Sequence, residues 1–279
     1  MKYSVSNWIY GSESIEKTVE RLVKYGYDGI EIKGEPSDYD VKKLNDLFSS
    51  NNLEVSTVCG MWPWDDSDHM KTRDLANPDP KVRELGIKYG ESALEFGNKL
   101  GAKTFICVVG GCGKVKQLHK KEWDYGIESV KKLAKTAIDN GITIAIEPIN
   151  RYELFLLNNV HDGLKFVQEV NSEGVKLMLD TFHMNIEEAD PPASIRIAGK
   201  QLIHLHVGDS NRQSVGRGHT DFKGIMRSLK EIEFKGYLAM EPLPPTGADV
   251  YDLSQLDPTV LDLYAQECID QLRYFEKVV

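Results

Sequence analysis

The sequence has few cysteines and no long apolar segment. Its four cysteines show no CxxC spacing, and four in 279 residues are too few for a disulfide-rich fold. No apolar run approaches the roughly 18 residues that suggest a membrane span. The first residues lack the cationic start and apolar segment of a signal peptide. We therefore expect a cytoplasmic protein with reduced thiols and no membrane partner.

The sequence also lacks an excess of positive charge. It contains 34 lysines and arginines against 43 aspartates and glutamates, which gives a formal net charge of −9. Because nucleic-acid binding depends on cations that neutralise phosphates, we do not expect a nucleic-acid partner. No linker rich in proline, glycine or serine divides the chain, and 41% of its residues are hydrophobic. We predict one domain that spans residues 1–279.

Eight short apolar segments alternate with segments of helical periodicity. The predicted strands comprise residues 3–8, 29–33, 53–59, 103–109, 142–147, 175–180, 202–207 and 237–241. Four helices that precede strands end near a glycine that can adopt the left-handed conformation: Gly26, Gly101, Gly141 and Gly236. Eight successive βα units predict an α/β fold of the (β/α)8 TIM barrel type, whose active site lies at the carboxyl ends of the strands.

The longest segment without a predicted helix or strand comprises residues 60–77 and contains Trp62 and Trp64. It follows the third predicted strand, and loops after strands line the mouth of such a barrel. We therefore expect this loop to lie over the active site. Its two tryptophans either pack the loop against the barrel or contact the substrate.

Four predicted strands carry, at or next to their carboxyl end, a side chain that is costly to bury: Glu147, Asp180, His206 and Glu241. A salt bridge or a helix cap would explain any one of them, but four in succession predict a metal enzyme. Three carboxylates and one imidazole suit Mn²⁺, Co²⁺ or Mg²⁺ better than a closed structural zinc site. His204 shares the strand face of His206 one layer deeper, and we expect a hydrogen-bonded interior histidine there.

Four motifs in the carboxyl-terminal half carry a family resemblance. They are EPINRYE at 147–153, LDTFHMNIEE at 179–188, HVGDSNR at 206–212 and GRGHTDF at 216–222. In this order they resemble the ketose 3-epimerase family, the D-tagatose 3-epimerase and D-psicose 3-epimerase group of the xylose-isomerase-like TIM barrels. The amino-terminal half is similar more loosely, through Cys59, Gly60 and residues 74–80.

The resemblance implies epimerisation of free ketoses at carbon 3 through an enediolate. It also implies one divalent metal ion per subunit, with Mn²⁺ favoured over Co²⁺ and Mg²⁺, and a homodimer or homotetramer. The family's metal-ligand positions are matched by Glu147, Asp180, His206 and Glu241. Two of these, Glu147 and Glu241, also match its catalytic acid/base carboxylates. Its substrate-holding positions are matched by Glu153, His183 and Arg212.

Other functions are compatible with the same residues. An aldose–ketose isomerase or an inosose-type dehydratase would use the same barrel, ion and carboxylates with different proton transfers, and analysis of the product would distinguish it. A non-catalytic sugar-binding module would not need two opposed carboxylates. An endonuclease IV-like DNA repair enzyme would need further histidines on early strands, whereas strands two to four end near Glu31, Cys59 and Val109.

Structural roles are the alternative for the substrate-holding residues. Glu153 and Arg212 could form a salt bridge that only shapes the barrel mouth, and His183 could make a loop hydrogen bond. We expect Arg212 to be exposed at the mouth, where an ion pair contributes only about 0 to 1 kcal/mol to stability.

Overall fold

The computed structural model describes residues 1–62, 72–245, 251, 253 and 256–279. The strands in these ranges are β1 (Lys2–Ser6), β2 (Gly29–Lys33), β3 (Glu54–Cys59), β4 (Thr104–Cys107), β5 (Thr143–Ile146), β6 (Val175–Asp180), β7 (Leu202–Val207) and β8 (Tyr237–Met240). They form a closed parallel barrel in sequence order, with β8 paired to β1. The predicted (β/α)8 TIM barrel is therefore confirmed.

Helices surround the barrel. Those in the described ranges are α1 (Ile15–Tyr25), α2 (Val41–Ser50), α3 (Pro80–Lys99), α4 (Glu122–Asp139), α5 (Val160–Val170), α6 (Thr181–Glu187), α7 (Pro191–Ala198), α8 (Phe222–Glu231) and α9 (Pro258–Val278). The last helix, α9, packs against both α8 and α1 and so closes the outer ring. Within the described ranges, no helix combines the length and the apolar character needed to span a membrane.

Three of the four predicted glycine caps have the expected backbone conformation. Gly26 ends α1 with a φ of 75°, and Gly101 and Gly141 also have positive φ values. The prediction was wrong for Gly236, whose φ is not positive. A Cβ atom there would lie 1.9 Å from the carbonyl oxygen of Ile203, so close backbone approach, and not a left-handed turn, requires glycine.

Several strands end earlier than predicted, and these ends position the site. β1 stops at Ser6 because Asn7–Tyr10 forms a short 3-10 helix, which carries Trp8 out of the strand. Glu147 and Glu241 lie one residue beyond β5 and β8. Their backbone N–H groups still donate to the preceding strands, at 3.2 Å and 2.9 Å respectively. The two carboxylates are therefore held at the carboxyl end of the barrel.

The loop predicted over the barrel mouth is described only in part. Residues 63–71, which include Trp64, lie outside the described residues, so the prediction for that tryptophan is untested. Arg73 secures the end of the loop: its guanidinium donates to Glu35 at 2.6 Å and to the carbonyl oxygen of Trp62 at 2.9 Å. Its guanidinium also lies 3.7 Å from the ring centroid of Tyr89. Trp62 is thereby fixed at the mouth.

Candidate active site and metal centre

The four side chains predicted as metal ligands converge in the structure. Ligand atoms of Glu147, Asp180 and His206 all lie within 4.8 Å of one another. Oε2 of Glu241 lies 3.1 Å from Nδ1 of His206. All four residues are buried, with at most 6% of their surface exposed. Four consecutive strand ends thus place three carboxylates and one imidazole around one point.

His206 is oriented by a glutamate on the opposite side of its ring. Its Nε2 lies 3.1 Å from each carboxylate oxygen of Glu31, which is fully buried. Nδ1 faces Glu241 at 3.1 Å and Glu147 at 3.5 Å, but makes no hydrogen bond with any residue that the structure describes. Metal-binding histidines commonly donate their other N–H to a carboxylate in this way. These residues therefore fit a divalent metal ion.

Glu31 joins three polar side chains below the candidate metal centre. It accepts hydrogen bonds from the Ser6 hydroxyl and from Nε2 of His204, in addition to its contact with His206. His204 is 1% exposed, which confirms the prediction of an interior, hydrogen-bonded histidine. Glu31 was not predicted as part of the site. Its signal in the sequence is a charged residue between two isoleucines in a buried strand.

Burial and neighbouring charges shift the pKa values of this cluster. Burial raises the pKa of Glu147 against the attraction of His206. Burial would also raise the pKa of Asp180, but Arg212 and the nearby histidines outweigh it and lower that pKa. Burial would lower the pKa of His206, but Glu241 and a second glutamate raise it well above its ordinary value. The cluster therefore favours positive charge beside Nδ1, as a cation site requires.

Arg212 is buried, so the prediction of an exposed arginine was wrong. It is 3% exposed, and its two terminal nitrogens donate to Asp180 and to Glu241, each at 2.9 Å. The cause is a tight turn after β7 in which Arg212 has a φ of 60°. The backbone of Arg212 donates to Asp209 and accepts from Leu243, both at 2.7 Å. This turn holds its side chain over the carboxylates.

His183 and Glu153 occupy different positions relative to the site. Nε2 of His183 lies 3.5 Å from Asp180, and Nδ1 lies 2.8 Å from the amide nitrogen of Asn150. Glu153 accepts hydrogen bonds from Asn150 at 2.7 Å and from the Tyr251 hydroxyl at 2.6 Å. Among the described residues, His183 lines the cavity, whereas Glu153 lies behind its wall.

A cavity lies above the candidate metal centre. Its wall includes aromatic and aliphatic side chains: Trp8, Trp62, Val108, Ile149 and Tyr251. Its polar groups come from the residues already described: Glu147, His183, His206, Arg212 and Glu241. An apolar wall with a few convergent polar groups is typical of a small-molecule site.

Three contributors to this site besides Glu31 were not predicted. Trp8 was placed in a strand, yet its indole N–H donates to Glu241 at 2.6 Å. Asn150 lies inside the EPINRYE motif, which was a usable signal. Tyr251 follows β8 in a segment without strand or helix periodicity, and no pattern in the sequence indicates its position.

The fold and these residues together define a TIM-barrel enzyme with a candidate divalent-metal centre at the carboxyl end of its strands. Comparisons with known proteins agree with this class. A family model described as xylose isomerase-like TIM barrel matches residues 19–256. D-psicose 3-epimerase of Ruminiclostridium cellulolyticum is 33% identical over 92% of this chain and 90% of its own length.

Two further relatives agree. D-psicose 3-epimerase of Agrobacterium fabrum is 34% identical over 83% of this chain and 80% of its own. A crystal structure of D-psicose 3-epimerase with D-tagatose, from Clostridium cellulolyticum, superposes with a TM-score of 0.87 and 30% identity, covering 99% of each chain. The chain therefore belongs to the xylose isomerase-like TIM barrel family, in its ketose 3-epimerase group. The predicted family and enzyme class are confirmed.

Proposed function

We propose that this protein is a metal-dependent ketose 3-epimerase that removes the proton from carbon 3 of a free ketose and returns it to the other face. The observation that carries the proposal is the position of Glu147 and Glu241. Both carboxylates border the cavity, and both approach the same atom, Nδ1 of His206, at 3.5 Å and 3.1 Å. The names of the relatives support the same reaction.

Inversion at carbon 3 explains why two carboxylates are needed. The proton on this carbon is α to the carbonyl at carbon 2, and its removal gives a planar enediolate. One group must take the proton from the first face, and another must supply a proton to the second face. Glu147 and Glu241 follow β5 and β8, which lie three strands apart in the closed barrel. Which of them is the base depends on the epimer bound, and the roles exchange in the reverse reaction.

The metal ligands we propose are the four predicted ones: Glu147, Asp180, His206 and Glu241. When bound there, a divalent ion would stabilise negative charge on the substrate oxygens, which lowers the barrier to proton removal. We propose Mn²⁺ for this role, with Co²⁺ or Mg²⁺ as substitutes, because oxygen ligands with one imidazole suit these ions.

Arg212 and His183 would hold the sugar. Both line the cavity, and the charged guanidinium and the imidazole N–H can donate to sugar oxygens. Donors at this position would also favour the enediolate over the ketose, since charge develops on oxygen as the proton leaves. Glu153 would act from behind the wall, through Asn150 and Tyr251.

Several predictions from the sequence accompany this function as proposals. We propose one domain across residues 1–279, a cytoplasmic location and a homodimer or homotetramer, with a small ketose as partner and no nucleic acid. They are supported by the family resemblance, the net charge of −9 and the cysteine content. Analytical ultracentrifugation of the purified protein would test the oligomeric state.

The test of the function is a substrate panel. Mn²⁺-loaded protein is incubated with free ketohexoses and ketopentoses, and epimers are resolved by chromatography. We expect the protein to interconvert ketoses that differ only at carbon 3, such as D-fructose and D-psicose. Metal-stripped protein should convert none of them. An aldose product would instead show an isomerase, and a dehydrated product would show a dehydratase.

A further inference from the structure

Asn150 contacts the substrate-facing histidine from behind. The Asn150 side chain is 1% exposed, and its amide nitrogen lies 2.8 Å from Nδ1 of His183. The other ring nitrogen, Nε2, lies 3.5 Å from Asp180, and His183 lines the cavity. The hydrogen that His183 presents to the cavity therefore depends on what Asn150 presents to Nδ1.

The orientation of the Asn150 amide is fixed by two other partners. Its oxygen accepts a hydrogen bond from the backbone N–H of Tyr152 at 3.0 Å, and its nitrogen donates to Oε1 of Glu153 at 2.7 Å. Exchanging the two ends of the amide would place an oxygen against a carboxylate and a donor against a donor. Both contacts would be repulsive, so the NH₂ group must face Glu153 and His183.

This orientation selects one tautomer of His183. The Asn150 NH₂ group has two hydrogens; one goes to Glu153, and the other points at Nδ1. An amide nitrogen cannot accept a hydrogen bond, so Nδ1 must be the acceptor. The hydrogen of the neutral ring then resides on Nε2, where it can be donated to a ligand in the cavity.

We propose that Asn150 is a positioning residue that fixes His183 in the Nε2–H tautomer, so that His183 donates a hydrogen bond to a sugar oxygen. The consequence for catalysis rests on the proposed function, whereas the tautomer itself does not. With the hydrogen on Nδ1 instead, a lone pair on Nε2 would face the sugar oxygen and the carboxylate of Asp180.

The test exchanges an amide and a carboxylate. In the double variant Asn150→Asp/Glu153→Gln, the glutamine amide donates to the aspartate, so the bond between positions 150 and 153 is retained with its polarity reversed. Position 150 then offers His183 only acceptor oxygens. The single variant Glu153→Gln is the matched control, because Asn150 keeps its amide. The second control is Asn158→Ala. The Asn158 amide donates to the carbonyl oxygens of Ile149 and Leu154 and so holds the same loop, and these hydrogen bonds do not involve His183.

The direct readout is ¹⁵N NMR of histidine-labelled, Mg²⁺-loaded protein at a pH where the ring is neutral, with His183 assigned by its absence in His183→Ala. We expect the Nε2–H pattern in the unmodified protein and in both controls, and the Nδ1–H pattern in the exchanged variant. An Nδ1–H pattern in the unmodified protein, or one tautomer common to all variants, would overturn the proposal. This readout needs no enzymatic activity, so it stands even if the proposed epimerase reaction is not observed.

The kinetic readout distinguishes action through His183 from a general effect on the loop. We expect the exchanged variant to lose about 10² in kcat, the effect of losing one donor to a developing oxyanion, with a smaller change in KM. In a His183→Ala background the same exchange should change kcat by less than about threefold, because its target is gone. An equal loss of kcat with His183 present and in the His183→Ala background would show that Asn150 does not act through His183.

Discussion

The carboxylate of Glu31 lies 3.1 Å from Nε2 of His206, and this contact turns Nδ1 of the imidazole toward Glu147 and Glu241. Glu31 belongs to β2, whereas His206 lies in β7, one residue before its end. The orientation of the proposed metal ligand therefore depends on a residue from a distant strand, held in place by barrel closure.

Replacing Glu31 with glutamine should weaken metal binding. The amide offers only one acceptor and adds a donor beside two imidazoles, so His206 would no longer be held in one orientation. Loss of such a partner typically lowers metal affinity about 10- to 100-fold, which isothermal titration with Mn²⁺ would measure. Glu122→Gln is the matched control, since Glu122 is equally buried but accepts hydrogen bonds from Leu118 and His119 instead. Equal Mn²⁺ affinities in both variants would contradict the role of Glu31.

Metal removal should abolish turnover reversibly. Dialysis against a chelator is expected to leave inactive protein, and Mn²⁺ or Co²⁺ should restore activity. His206→Ala should bind the ion more weakly, because it loses the one nitrogen ligand of the proposed shell. Full activity in protein shown to be metal-free by elemental analysis would rule out the metal centre. Unchanged affinity in His206→Ala would place it elsewhere.

Removing the guanidinium of Arg212 should destabilise the metal-free protein strongly. Arg212→Ala leaves the buried carboxylates of Asp180 and Glu241 without their cation, and breaking a buried pair costs about 3 to 5 kcal/mol. Arg217→Ala is the control, since its partner Glu267 is partly exposed and such pairs contribute only about 0 to 1 kcal/mol. Urea unfolding of both variants would measure the free energies of unfolding.

Adding Mn²⁺ should reduce the loss in free energy of unfolding of the Arg212→Ala variant, because the ion would neutralise the same carboxylates. Its kcat/KM should still fall, since no donor replaces the guanidinium near the sugar. A stability loss no larger than that of Arg217→Ala would show that the arginine is solvated, as the sequence had predicted.

The indole of Trp8 should support the catalytic role of Glu241. Its N–H donates to Oε1 of Glu241 at 2.6 Å, and Trp8→Phe removes this bond while keeping most of the aromatic surface. A hydrogen bond to a charged group is worth about 1.5 to 3 kcal/mol, so we expect kcat to fall about tenfold or more. Trp123→Phe, which removes a similar bond to the exposed Glu169, should leave kcat unchanged. Equal kcat values in the two variants would remove Trp8 from the mechanism.

Barrel strands and the four candidate ligands could be predicted because both depend on short stretches of sequence. A parallel strand covered on both faces reads as an apolar run, and a charged residue at its end is conspicuous. Strand ends were less predictable. The early end of β1 depends on the turn at Asn7–Tyr10, and hydrophobicity alone does not separate such a turn from a strand.

Contacts between distant strands could not be predicted in the same way. Glu31 and His206 are far apart in the chain, and nothing near Glu31 indicates a partner. The burial of Arg212 results from a backbone turn with positive φ, which an arginine rarely adopts and which propensity does not predict. Tyr251 and Glu153 are 98 residues apart in the chain, and no pattern near either residue indicates that they are in contact.

The position of solvent deuterium in the product tests the central claim most directly. Mn²⁺-loaded protein is allowed to convert a ketose in D₂O, and the product is examined by NMR. If Glu147 and Glu241 exchange a proton at carbon 3 from opposite faces, deuterium should appear at carbon 3 and none at carbon 1. Glu147→Gln and Glu241→Gln should each abolish net inversion, because both an acceptor and a donor are required. Deuterium at carbon 1 together with an aldose product would contradict the account and show an isomerase.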